Sequence, residues 1–136
     1  MKNFSLILLT AFFVFAISIY GCGTKAPYGV VPIEGMASWD GQPLSPEFTL
    51  QFNPADGKIH STGIVTTNGQ FRAVHTPEID GVPIGQCTVT VSWSRGIGEK
   101  PPEEIEPLLK KYGPNTPGLP IEITKKDLNM KVDFPR

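Results

Sequence analysis

The chain has 136 residues and a formal net charge of −1, from 12 Lys+Arg against 13 Asp+Glu. That length bounds it to one domain, and the even charge balance argues against a nucleic-acid binder, which would show a basic face. Two cysteines cannot build a disulfide-dense scaffold or a four-thiolate zinc site, and 14 Gly with 14 Pro make a turn-rich chain that stops short of low-complexity disorder.

The first element in chain order is an address. Lys2 is the only charge before Lys25, and Phe4 to Tyr20 is an apolar run softened only by Ser5, Thr10 and Ser18. A basic start followed by such a run is the layout of a secretory signal. It ends in Ile19-Tyr20-Gly21-Cys22, which resembles the bacterial lipobox: an aliphatic residue three before the cysteine, a small residue just before it, then the cysteine. Tyr20 stands where a small residue is usual. The resemblance implies that residues 1–21 are removed and that Cys22 carries a diacylglyceryl thioether and an acylated amino terminus. An uncleaved membrane anchor is the alternative, but seventeen residues sit at the lower edge of what spans a bilayer. Removal of 1–21 takes away Lys2 alone, leaving 115 of the 136 residues and a net charge of −2, a length sufficient for a real core.

Residues 22–30 are the lipidated cysteine and a short tether. The eight residues after Cys22 reach at most ~28 Å when extended, which keeps the following domain, residues 31–136, close to its membrane. From Val31 short runs alternate with turn dipeptides: Asp40-Gly41, Asp56-Gly57, Asn68-Gly69 and Asp80-Gly81. Such pairs tolerate positive φ and favour tight hairpins. Ile33, Gly35, Ala37 and Trp39 share one face of a first strand; Phe48, Leu50 and Phe52 share one face of a second. Cys87, Val89, Val91 and Trp93 alternate with Thr88, Thr90, Ser92 and Ser94, and Ile121–Ile123 and Met130–Phe134 close the series. Period two with one apolar face means strands half-buried on a core. Six or seven such strands predict an all-β sandwich. One segment differs. Between Pro101 and Gly113, Ile105, Leu108, Leu109 and Tyr112 fall at helical spacing, with acids leading and lysines trailing as the helix dipole favours. Gly113-Pro114 is a stop signal, and Pro107 predicts a kink or two short turns. The apolar stripe is expected to dock on the sandwich and cover an edge strand.

Four of these stretches carry a family resemblance. Gly35-Met-Ala-Ser-Trp-Asp-Gly-Gln-Pro-Leu44 resembles the G-x-V-x-x-D-G-x-P-L opening of carboxypeptidase regulatory-like, or transthyretin-like, domains. Phe48–Pro54 is similar to their next strand, Thr66–Phe71 to their T-D-x-x-G-x-F hairpin and Pro83–Val91 to their P-x-G-x-Y-x-V-x-V strand. Thr67 stands where an acid is common, and Cys87 where an aromatic is. Small bacterial lipoproteins with this domain also tend to carry a Pro/Glu-rich insert ending in Lys-Tyr, as at Lys111-Tyr112. The resemblance covers about residues 31–135. It implies a seven-stranded Greek-key sandwich of prealbumin type, with a helical insert near 102–112, and no particular chemistry.

No catalytic residue is expected. The hydrolase of 5-hydroxyisourate in this fold ends in a Tyr-Arg-Gly-Ser tail, whereas this chain ends Val132-Asp133-Phe134-Pro135-Arg136, and His60, Arg72 and His75 do not sit in that family's motifs. No nucleophile elbow is present, and Arg95–Lys100 lacks phosphate-loop spacing. His60, His75 and Cys87 have the donor types for copper or zinc. Without another ligand at metal-site spacing they are expected to be surface histidines and a buried thiol that packs as a small hydrophobe. Glu103, Glu104 and Glu106 lack EF-hand spacing and are explained by the helix dipole. Trp39 and Trp93 are expected in the core by alternation; Tyr28 lies in the tether. The expectation is therefore an extracytoplasmic, membrane-anchored envelope module without metal or cofactor. It is held by acyl chains on Cys22, in the inner or outer membrane, and binds a protein or has a structural role. A carbohydrate- or polymer-binding module is the alternative, using loop aromatics and the 95–120 insert.

Overall fold

The computed structural model describes residues 29–125 and 129–136; the apolar run, Cys22 and Tyr28 lie outside the described residues. Seven strands of five to nine residues make the frame: β2 (Glu34–Trp39), β4 (Phe48–Pro54), β5 (Ser61–Val65), β6 (Gln70–Thr76), β9 (Gly85–Trp93), β10 (Leu119–Ile123) and β11 (Asn129–Phe134). Among the described residues four two-residue strands, β1 (Val30–Val31), β3 (Gln42–Pro43), β7 (Ile79–Asp80) and β8 (Val82–Pro83), complete the β structure, with one α-helix, α1 (Glu106–Tyr112).

The expected all-β architecture is present, and nine of its strands share one curled sheet. Its hydrogen-bonded path runs β10-β9-β4-β5-β6-β2-β11, with β3 on β2 and β7 on β6, and β1 and β8 form a separate two-stranded ribbon. Every pairing is antiparallel except β11 on β2, which is parallel with Val132 opposite Ala37. The sheet stays continuous because β5 ladders to β4 on one side and to β6 on the other. At the centre of β5, Gly63 faces Leu50, Phe52 and Phe71, leaving room for the sheet to bend where a side chain would wedge it open. The two ends of the path approach each other, because the five residues between Ile123 and Asn129 reach at most ~22 Å.

The alternating faces read from sequence point inward as expected. Leu50, Phe52, Val89, Val91, Ala37 and Phe134 are all fully buried, and the Phe52 and Phe71 rings pack tilted at 5.9 Å. Asp40 and Gly41, and Asn68 and Gly69, all take positive φ and turn β2 into β3 and β5 into β6, as the hairpin rule requires. The other two dipeptides do not make tight hairpins. Asp56-Gly57 opens the loop that leads to β5, and Asp80-Gly81 passes the chain from β7, on the large sheet, to β8, on the ribbon.

The predicted helix is present in two pieces, a 3-10 turn at Glu103–Ile105 and then α1. Pro107 falls in the first turn of α1, where a missing N–H costs nothing. Leu108 and Tyr112 are buried in the core, with Ile105 and Leu109 packed beside them. The stripe thus docks, but not along an edge. It packs on β9, an interior strand, and reaches the edge strand β11 through Tyr112 against Phe134 at 5.1 Å. Among the described residues no helix is long and apolar enough to cross a membrane.

The domain has two distinct ends. The described chain begins at Gly29, whose carbonyl accepts the Ile84 N–H at 2.7 Å, next to Gly85 at the start of β9. Ile123 pairs with Gly85 and the Ala55 N–H bonds the Gln86 carbonyl at 2.9 Å, so the loops after β4 and after β10 share this end. Nine-residue β9 carries the frame about 27 Å away to Trp93. There Phe48 pairs with Trp93, and β2 and β11 finish in register at Trp39 and Phe134.

Candidate functional site

At the end remote from Gly29, α1 and the tails of β2 and β11 enclose a pocket of about 370 Å³ lined by Trp39, Glu104, Pro107, Lys111, Tyr112, Pro135 and Arg136. Three segments far apart in sequence meet here because of the parallel β2–β11 pairing. Asp40 donates its N–H to the Phe134 carbonyl at 2.9 Å, which holds the Asp40-Gly41 turn against the end of β11. The Ser38 hydroxyl donates to Asp133 Oδ1 at 2.5 Å and the Gly41 N–H reaches the same oxygen at 3.3 Å. Together these hold the Asp133 carboxyl below the usual carboxylate range.

The helix is fastened to the same tail. Tyr112 donates its hydroxyl to the Pro135 carbonyl at 3.0 Å, and Lys111 Nζ donates to the Arg136 carbonyl at 2.9 Å. Arg136 lies over the Trp39 ring, 5.5 Å from its centroid, while its Nε pairs with Asp40 at 3.2 Å. The result is an aromatic and proline-walled cup with two cations and one carboxylate at its lip. Such a cup can take an apolar or ring-shaped group and hydrogen-bond what flanks it. Trp39 is half-buried, a wall of this cup as well as a neighbour of the core. Glu104, expected only to complement a dipole, also lines it.

A larger open depression of about 620 Å³ lies on the outer face of β2 and β6, lined by Glu34, Gln70, Arg72, Asn129 and neighbours. Its wall is polar and apolar in about equal parts and Arg72 is already bonded to Asp80, whereas the smaller cup is mostly apolar with its charges at the lip, which makes the cup the better-built site.

The residues weighed as metal ligands do not gather. His60 is exposed in the loop before β5. His75 on β6 shares a hydrogen bond with Ser61 at 3.0 Å, and Ser61 is fully buried. Cys87 is a free, buried thiol whose pKa burial pushes up to about 11. Among the described residues no three of His, Cys, Asp and Glu form a metal-sized group. Glu103 and Glu106 are exposed at the start of the helical segment, Arg95 pairs with Glu47 at 3.0 Å, and Trp93 is half-buried at the end of β9. Cys22 lies outside the described residues.

Sequence reasoning missed Pro107, Lys111, Pro135 and Arg136 as walls of one pocket. The available signal was the Phe-Pro-Arg that follows the last alternating strand, but its meaning depends on which strand β11 joins. No protein-family model, known protein or solved structure matches the chain.

Proposed function

We propose that the chain is a lipid-anchored, non-catalytic module of the bacterial cell envelope, held by acyl chains on Cys22 and offering the pocket end of its domain to another envelope protein. The observation that carries this reading is the placement of the cup. It is built from an added helix, at the opposite end of β9 from Gly29, where the described chain begins. A module anchored at one end has its other end free for a partner, and a mostly apolar cup with a charged lip has the chemistry of a protein anchor site. Binding rather than catalysis is supported by the state of the one described cysteine: Cys87 is buried with a raised pKa. A Greek-key sandwich of prealbumin type, in the manner of carboxypeptidase regulatory-like domains, remains the proposed relationship, supported by seven frame strands and the order of their turn motifs. The hydrolase of that fold is the distant alternative.

A carbohydrate-binding role is the second reading, favoured by one feature: Trp39 and Tyr112 share a pocket with Glu104, Lys111 and Arg136, and rings with flanking hydrogen-bonding groups suit sugars. A photo-cross-linking residue at Lys110, on the exposed side of α1, tests the first reading in native membranes. A discrete protein adduct that disappears with Trp39→Ala supports it. No adduct, together with Trp39-dependent signal for the soluble mature domain on a glycan array, replaces it with the second.

A further inference from the structure

Among the described residues four large apolar side chains stand well exposed, Met36, Ile59, Ile64 and Ile97. Met36 and Ile64 lie on the outward faces of β2 and β5, and Ile97 lies in the loop beyond Trp93. Ile59, 66% exposed, is the one at the end where the described chain begins. It sits in the loop between β4 and β5, whose start is fixed there by the Ala55–Gln86 hydrogen bond.

We propose that Ile59 inserts into the interface of the membrane that anchors the chain, so that the domain stands on its 55–60 loop with the pocket end turned outward. This rests on the reading of Cys22 as the lipid attachment site. Three observations carry it. The seven steps from Cys22 to Gly29 reach at most ~25 Å, so Gly29 stays within that distance of the anchoring surface. The loop shares that end with Gly29. Its most prominent apolar group is an aliphatic side chain about two-thirds exposed. A tether holds the loop at high effective concentration over the lipid, so a single aliphatic side chain suffices to favour the standing orientation by about tenfold. The charges nearby do not choose a headgroup. Among the described residues at this end Lys58 is paired with Asp56 at 2.9 Å, and exposed Glu78, Glu122 and Lys125 make no basic patch. The contact is therefore with the hydrocarbon–headgroup boundary of any fluid bilayer, neutral ones included.

The test uses the full chain, matured in cells, purified and reconstituted into phosphatidylcholine vesicles that contain lipid nitroxide-labelled near the headgroup. A fluorophore is placed on His60→Cys or, as the far-end control, on Ile97→Cys; Cys87 is buried and does not compete for label. The expected result is quenching at position 60 several times that at 97, falling to the level of 97 when Ile59→Asp is added. Ile59 is exposed, so that variant keeps its melting temperature, which is measured alongside. Equal quenching at 60 and 97, or quenching at 60 that survives Ile59→Asp, overturns the proposal alone, provided the protein floats with the vesicles and its mass shows acylated Cys22. A chain that does not float and carries no acyl mass overturns the anchor reading and this proposal with it.

Discussion

Cys87 and Gly35 show how much a single position can hold. Cys87 sits on β9 between β4 and β10, and burial pushes its thiol pKa from 9.0 up to about 11. Its neutral form is favoured in the folded state. Between pH 9 and 11 the unfolded chain therefore loses a proton that the folded chain keeps, and stability falls as pH rises through that window. Denaturant midpoints measured from pH 8 to 11 should fall more steeply in the native protein than in Cys87→Ala. Thiol reagents should label the native protein far more slowly than the unfolded one, and Cys87→Ser should cost about 1–3 kcal/mol for burying a hydroxyl without a partner. The burial of Cys87 was legible, because alternation with Thr88 and Thr90 fixes its face. The demand at Gly35 was not. A Cβ there would run into the Met130 carbonyl of the parallel neighbour β11, and nothing local announces which strand lies alongside. Gly35→Ala should destabilise by about 1–3 kcal/mol through overpacking, read as a lowered urea midpoint at unchanged slope.

At the scale of elements, the helical insert decides whether the candidate site exists at all. Leu108 is fully buried and Tyr112 nearly so, which makes α1 part of the core and the cup a fixed surface. Leu108→Ala should therefore cost about 2–5 kcal/mol. Replacing Leu108 and Leu109 with Ser should lower the melting temperature, where a free arm would leave it unchanged. Hydrogen exchange should show protection in the last turn of α1, at Tyr112 and at Gly113, whose N–H bonds the Leu109 carbonyl at 2.8 Å. Exchange there as fast as in the exposed 95–100 loop would contradict docking. The helix, its stripe and its break at Pro107 could all be read from residue spacing. Its seat could not. The sequence pattern suggested cover for an exposed edge, but the stripe found β9 and the end of β11, because the curl of the sheet brings those two within reach of one helix face. The pocket was illegible for the same reason: Trp39, Lys111 and Arg136 come together only through a parallel pairing that period-two alternation cannot specify.

For the whole molecule, the anchor and the sheet make separate predictions. The mature protein should begin at Cys22: intact mass should lack residues 1–21 and carry acyl groups, while a secreted form with an unmodified Cys22, or a retained signal, would refute the lipoprotein reading. The sheet makes a claim about cooperativity. A sandwich of two independent sheets could loosen one layer before the other. Here the seven frame strands form one hydrogen-bonded path, and one buried cluster draws on both of its ends, with Ile123 from β10 and Val132 and Phe134 from β11. Loss of either end opens the same core, so the domain should unfold as a single unit. The two tryptophans report on opposite arms of the path, Trp39 on β2 next to β11 and Trp93 on β9 next to β10. In urea, Trp93→Phe leaves the first reporter and Trp39→Phe the second. Each variant's fluorescence transition should coincide with its own far-UV circular dichroism transition. A Trp39 transition at clearly lower urea than the loss of β signal would mean that β2 and β11 come away first. The sheet would then behave as two layers despite its continuous ladder, and the pocket would be lost before the rest of the fold.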